Sequence, residues 1–138
     1  MSAIDLVAEK DAVKAALEDL ITGVENKDMR LLPNTVAHEA DRVWIGAGAN
    51  DWLVGWEALE QAMLAQNTAL DDIRITVGEE TIHLAPDEQF AWATNRWNFA
   101  ARLGEQALEL PLRCTWILEK RAAGWVIVHF HKSAGMSG

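Results

Sequence analysis

Between residues 71 and 132 the hydrophobic pattern repeats with a period of two, and this stretch commits most of the chain to a sheet. Ile73, Ile75 and Val77 alternate with Arg74 and Thr76, and Gly78 then invites a bulge. Ala85-Pro86-Asp87-Glu88, Gly104 and Ala122-Ala123-Gly124 are turn signals. They predict four long strands: one from Asp71, then 89–102, 107–120 and 125–131. Tight turns between consecutive strands make an antiparallel meander. Pro111 cannot donate a ladder hydrogen bond, so a bulge or a sheet edge is expected there. Long bulged strands curve, and a curved sheet encloses space on its concave side.

Ahead of the sheet the period is helical. Val13, Leu17, Leu20 and Val24 recur at three- and four-residue spacing, with Ala16 and Ile21 widening the stripe, which predicts a helix over 6–25. Ser2 or Asp5 can cap its start, and Asn26 can stop it. A short second helix is expected over 28–32, capped by Asp28 and ended by Pro33. Residues 40–45 read as a short strand, 46–51 as a turn-rich loop, and a third helix begins near Gly55 or Trp56 and fades near Asn67. The fold class is therefore α+β, in one domain spanning 1–138.

Composition narrows the function classes. A formal net charge of −9 repels phosphate backbones and anionic headgroups, so neither nucleic acid nor membrane is an expected partner. No apolar run reaches the roughly 18 residues of a membrane span, and residues 1–10 lack the pattern of a signal peptide. Cys114 is the only cysteine, which fits a reducing compartment, so the expected location is cytoplasmic. There are seven Trp and no Tyr, so mechanisms needing a phenolic donor are excluded.

Two stretches carry a family signal: Gly55-Trp56-Glu57-Ala58-Leu59, and the ending from Gly124-Trp125-Val126 through His129-Phe130-His131-Lys132-Ser133. With the long first helix and the meander, they resemble the nuclear transport factor 2-like superfamily, particularly its SnoaL-like branch. The ending also resembles the association domain of calcium/calmodulin-dependent protein kinase II. The resemblance implies a cone of three N-terminal helices on a strongly curved, mainly antiparallel sheet. It also implies a pocket inside the cone and a homodimer through the outer face of the sheet. Members include enzymes and non-catalytic modules, so the fold does not select a function.

Alternation along 89–102 places Trp92, Thr94, Arg96 and Asn98 on one face. By resemblance to the association domain, that face carries Arg96 into the pocket, and Trp116 faces the pocket from the next strand. Arg96 is then an anchor for a carboxylate or other anion; the competing reading is an internal ion pair with Asp or Glu. Trp44, Trp56 and Trp92 are expected to line the ligand site with Asn98. His129 and His131 are placed on one face with Trp125 and Ile127. Either is a candidate general base with Asp41, against a structural role in hydrogen bonding. The His-x-His pair has no third ligand marked by spacing, so no metal is assigned. Ketosteroid isomerase chemistry needs a Tyr, which this chain lacks, and an Asp base at a position that falls near Gly46, where the flanking Asp41 and Asp51 do not match cleanly.

The expected function is a small-molecule-binding domain, with a Trp-rich pocket for a mostly apolar ligand bearing an acidic or carbonyl group near Arg96. If catalytic, it performs cofactor-free isomerase-, cyclase- or dehydratase-type chemistry. The alternative is a non-catalytic association module.

Overall fold

Ser2 starts the first helix, α1 (Ala3–Glu25): the backbone N–H of Asp5 donates to Ser2 Oγ at 3.1 Å. The computed structural model describes residues 2–136. Val13, Leu17, Leu20 and Val24 are buried along one side of α1, and Ala16 and Ile21 pack beside them, as the period predicts. Asn26 caps the helix, and Lys27 turns the chain away at φ 54°.

The short second helix differs from expectation. Asp28 accepts from the backbone N–H groups of Arg30 and Leu31 at 2.9 and 3.1 Å, so it caps a turn. The helix itself, α2 (Leu32–Thr35), begins afterwards with Pro33 in its first turn. Proline is tolerated there because that N–H has no partner within the helix.

Strand β1 (Val43–Ile45) forms a hairpin with β2 (Trp52–Val54), a strand too short for its pattern to show in sequence. Gly55, at φ +87°, then opens α3 (Trp56–Ala69). Its N–H donates to Arg42 O at 2.7 Å, and a Cβ there would lie 3.0 Å from Ala40 O. Only glycine meets both conditions without strain.

The meander follows: β3 (Asp71–Leu84), β4 (Phe90–Leu103), β5 (Gln106–Arg121) and β6 (Gly124–Ser133). The six-stranded sheet has the order β2-β1-β6-β5-β4-β3, antiparallel except for the β1–β6 pair. Pro111 lies where β5 has only β4 beside it, because β6 reaches no further than Arg113. The edge expectation holds, and the missing N–H costs no pairing on the open side.

Curvature comes from three irregularities. The β3–β4 register shifts between Asp71 and Arg74, and again between Gly78 and Thr81. Asp72 and Glu79 adopt positive φ at these points. The third shift lies between β5 and β6, where Ile117 faces His129 and Leu118 faces Ile127, leaving Val128 as the extra residue.

The helices cover the concave side. Helix α1 packs against β3 and β6, and its stripe meets Trp44, Ile73, Ala93, Trp97, Trp116, Leu118 and Ile127 in one buried core. None of the helices among the described residues is long and apolar enough to cross a membrane.

Candidate functional site

The register of β4 against β5 decides which residues face inward. Ala93 lies opposite Trp116, Asn95 opposite Cys114 and Trp97 opposite Leu112, and all six are buried. Trp92, Thr94, Arg96 and Asn98 therefore point outward. This corrects the expected placement of Arg96 on the concave face with Trp116. Arg96 is 62% exposed and its Nε donates to Glu79 Oε2 at 2.9 Å. It is an ion-paired surface residue, so the competing reading of that side chain holds in a solvated form. Trp92 is 45% exposed and stacks on His83 at 5.3 Å. The Nδ2 of Asn98 donates to Glu109 Oε1 at 2.8 Å.

The last strand is corrected in the same way. Trp125 and Ile127 face the core, whereas the extra residue Val128 inverts the alternation and puts His129 and His131 on the other face. His129 Nδ1 donates to the carbonyl of Val43 at 2.6 Å. His131 is exposed, and Asp41 sits on Arg42 at 3.4 Å with 79% of its side chain exposed. Among the described residues no hydrogen bond joins Asp41 to either histidine. Trp44 is fully buried, and Trp56 stacks on His38 with ring centres 4.2 Å apart.

The structure instead assembles an interior group around a residue the sequence did not single out. Phe130 lies opposite Trp116 on one side and Trp44 on the other, and Lys132 lies opposite Cys114 one step along the same face. The ring centres of Trp44 and Phe130 are 5.2 Å apart, those of Trp116 and Phe130 5.5 Å, and those of Trp97 and Trp116 5.2 Å. Lys132 Nζ sits 4.5 Å from the centres of Trp97 and Phe130 and 5.4 Å from that of Trp116. Lys132 as a whole residue is partly exposed, while the rings of Trp97, Trp116 and Phe130 are buried.

The chemistry of this cage is unusual for a lysine. Aromatic faces attract an ammonium but replace little of its hydration. Desolvation lowers the Lys132 pKa to about 8, opposed by the fields of Cys114 and Asp51. Burial raises the Cys114 thiol to about 11, so it stays a neutral thiol beside the amine. No carboxylate among the described residues lies within ion-pair distance of Lys132. Two of the buried rings, Trp44 and Trp97, also carry an Nε1–H that no protein atom accepts. Such donors are costly to bury and are available to an acceptor.

Behind the cage a polar chain fixes one ring. Trp116 Nε1 donates to Asn95 Oδ1 at 3.0 Å, and Asn95 Nδ2 donates to Glu80 Oε2 at 3.1 Å. Glu80 in turn faces Lys14 of α1 at 3.7 Å. The bulge after Gly78 makes this possible. It sends Glu79 outward to Arg96 and Glu80 inward to Asn95.

The outer face holds a depression of about 360 Å³, lined by Thr94, Arg96, Arg113, Thr115 and His131 among others. Beside it the register aligns His83, Trp92, Ile117 and His129 across four strands. Among the described residues no group of three or more His, Cys, Asp or Glu is placed to hold a metal ion.

A six-stranded, mostly antiparallel curved sheet with N-terminal helices packed on it is the architecture of the nuclear transport factor 2-like superfamily. Residues 13–137 match the SnoaL-like domain, and the chain belongs to that family. Solved structures agree on the fold. A dehydratase candidate of the NTF2-like family from Streptomyces avermitilis superposes with a TM-score of 0.85 at 14% identity, over 94% of this chain and 98% of that one. A hexachlorocyclohexane dehydrochlorinase, LinA-type3, from Novosphingobium barchaimii LL02 gives 0.80 at 14% identity, over 98% and 92%. A candidate calcium/calmodulin-dependent protein kinase II association domain from Xanthomonas campestris gives 0.78 at 19% identity, over 91% and 87%. Sequence comparison with curated proteins returns no match.

Proposed function

We propose that this domain binds a small, mostly apolar molecule bearing an acidic or carbonyl group, held at the concave face by Lys132 and the rings of Trp97, Trp116 and Phe130. The observation that carries this reading is an amine among three aromatic rings with no carboxylate partner among the described residues. A planar apolar body stacks on rings, and an acidic or carbonyl oxygen takes a hydrogen bond from Lys132 or from a free indole N–H. In this reading Lys132 takes the role expected of Arg96, beside Trp116.

The reaction class this supports is proton transfer without a cofactor. A group that titrates near 8 can both accept and return a proton near neutral pH. Two structural relatives are described as a dehydratase candidate and a dehydrochlorinase, names that favour elimination. The test is a titration with aromatic carboxylates such as 2-naphthoate, followed by tryptophan fluorescence. Saturable quenching that Lys132→Met abolishes supports the reading; quenching unchanged in Lys132→Met counts against it.

Assembly has its own supporting observation. Phe90, Trp92 and Ile117 are exposed apolar side chains on the outer face, and Trp92 and Ile117 lie directly opposite each other. We propose that this patch pairs with a second copy of the chain, leaving the concave site free. Sedimentation of the wild type and of Trp92→Glu tests it.

A further inference from the structure

We propose that the outer face of the sheet carries a separate anion-binding site, in which Arg96 and Arg113 together hold the phosphoryl group of inorganic phosphate or of a small phosphate monoester. It uses neither Lys132 nor the rings around it.

The strand register puts two positive charges face to face. Arg96 of β4 stands directly opposite Arg113 of β5. Like charges so placed destabilise a strand pair. Among the described residues no other pair in register in this sheet opposes two like charges. Arg74, for comparison, stands opposite Ala100. Each guanidinium of the pair is steadied through its Nε. That of Arg96 donates to Glu79 Oε2 at 2.9 Å, and that of Arg113 donates to Ser133 Oγ at 3.2 Å. The terminal N–H groups remain as donors for a ligand. Arg113 has no carboxylate within ion-pair distance among the described residues. An anion between the two turns their repulsion into two charge-assisted contacts.

Neutral donors lie one step along the same face. Thr94 stands opposite Thr115, and Thr115 opposite His131. Both arginines, both threonines and His131 are exposed and line one depression of about 360 Å³. Two guanidinium forks and two hydroxyls exceed what the two oxygens of a carboxylate can use. They suit a group with three or four oxygens and up to two negative charges. The chain as a whole carries −9, so this is a local concentration of positive charge on an acidic molecule. Glu79, 74% exposed, is the carboxylate that lines the depression, and it competes with a ligand for Arg96.

The test is isothermal titration of the full chain with inorganic phosphate and with phenyl phosphate at pH 7 and low salt, where exposed charges are least screened. Saturable binding is expected. Arg113→Gln should weaken it at least about tenfold, the loss of a charge-assisted contact. Glu79→Gln should tighten it, because Arg96 then has no internal carboxylate; a gain of this kind cannot come from damage to the fold. Lys132→Met should bind as the wild type does. Equal affinity for the two ligands supports the site with free phosphate as its occupant, and tighter binding of phenyl phosphate supports it with an ester. No binding by the wild type, binding unchanged in Arg113→Gln or weakened in Glu79→Gln, or binding lost in Lys132→Met overturns the site. Acetate held as tightly as phosphate overturns the phosphoryl assignment.

Discussion

Lys132 Nζ lies 4.5 Å from the centre of the Trp97 ring, on the side of the sheet that α1 covers. That contact puts a basic group on the concave face, among the buried rings of Trp97, Trp116 and Phe130. An amine there costs stability while it is charged and supplies reactivity when it is not.

The cost gives a signed pH dependence. Lys132 titrates at about 8 in the fold, against 10.5 for an ordinary lysine. The unfolded chain therefore binds the extra proton between these values, and the contribution of Lys132 to stability rises with pH across that window. Below pH 8 the penalty is fully present, up to about 3 kcal/mol from the size of the shift. Cys114, raised to about 11, works in the opposite direction over part of the same range. The comparison to make is therefore wild type against Lys132→Met, where the thiol is present in both. Denaturant unfolding is expected to show the largest advantage for Lys132→Met at pH 7. That advantage should shrink towards pH 10.5.

Asn95 holds the cage from behind by bridging Trp116 and Glu80. Asn95→Ala leaves the Trp116 N–H and one Glu80 oxygen without their partner in a buried place. The expected loss is about 2–3 kcal/mol, with weaker ligand quenching because the Trp116 ring is no longer fixed. Chemical denaturation and the fluorescence titration measure the two effects separately.

Arg96→Ala is expected to do little. Its pair with Glu79 is solvated on both sides, 62% and 74% exposed, and such pairs contribute at most about 1 kcal/mol. Thermal melting should change by a few degrees at most, and the concave site should bind as before.

Trp92→Glu places a charge in the exposed apolar row with Ile117. Sedimentation velocity is expected to show a dimer for the wild type and a monomer for the variant. Ligand quenching should survive in the monomer, since Trp92 is on the opposite face from Lys132.

Much of this fold is legible in the sequence because the patterns are long. Four strands of ten to sixteen residues and a helix of 23 leave a clear period. The three-residue β2 leaves none, and Pro33 reads as a helix stop or a helix start until its neighbours are placed. The site is less legible, because a period of two shows which residues share a face but not which face is inside. Trp92, Thr94, Arg96 and Asn98 share a face as expected, yet the buried set is Ala91, Ala93, Asn95 and Trp97. The small alanines were the signal: they leave room for Trp116 and the helix stripe. Val128 then breaks the alternation in β6, which puts Phe130 and Lys132, rather than the histidines, on the face of Trp125 and Ile127 in a way the sequence does not show.

The most direct test is isothermal titration of 2-naphthoate into wild type, Arg96→Ala and Lys132→Met at pH 7. The cage account predicts saturable binding that is equal in wild type and Arg96→Ala and at least about tenfold weaker in Lys132→Met, the loss of one charge-assisted hydrogen bond. No binding by the wild type, or equal binding by Lys132→Met, would contradict it.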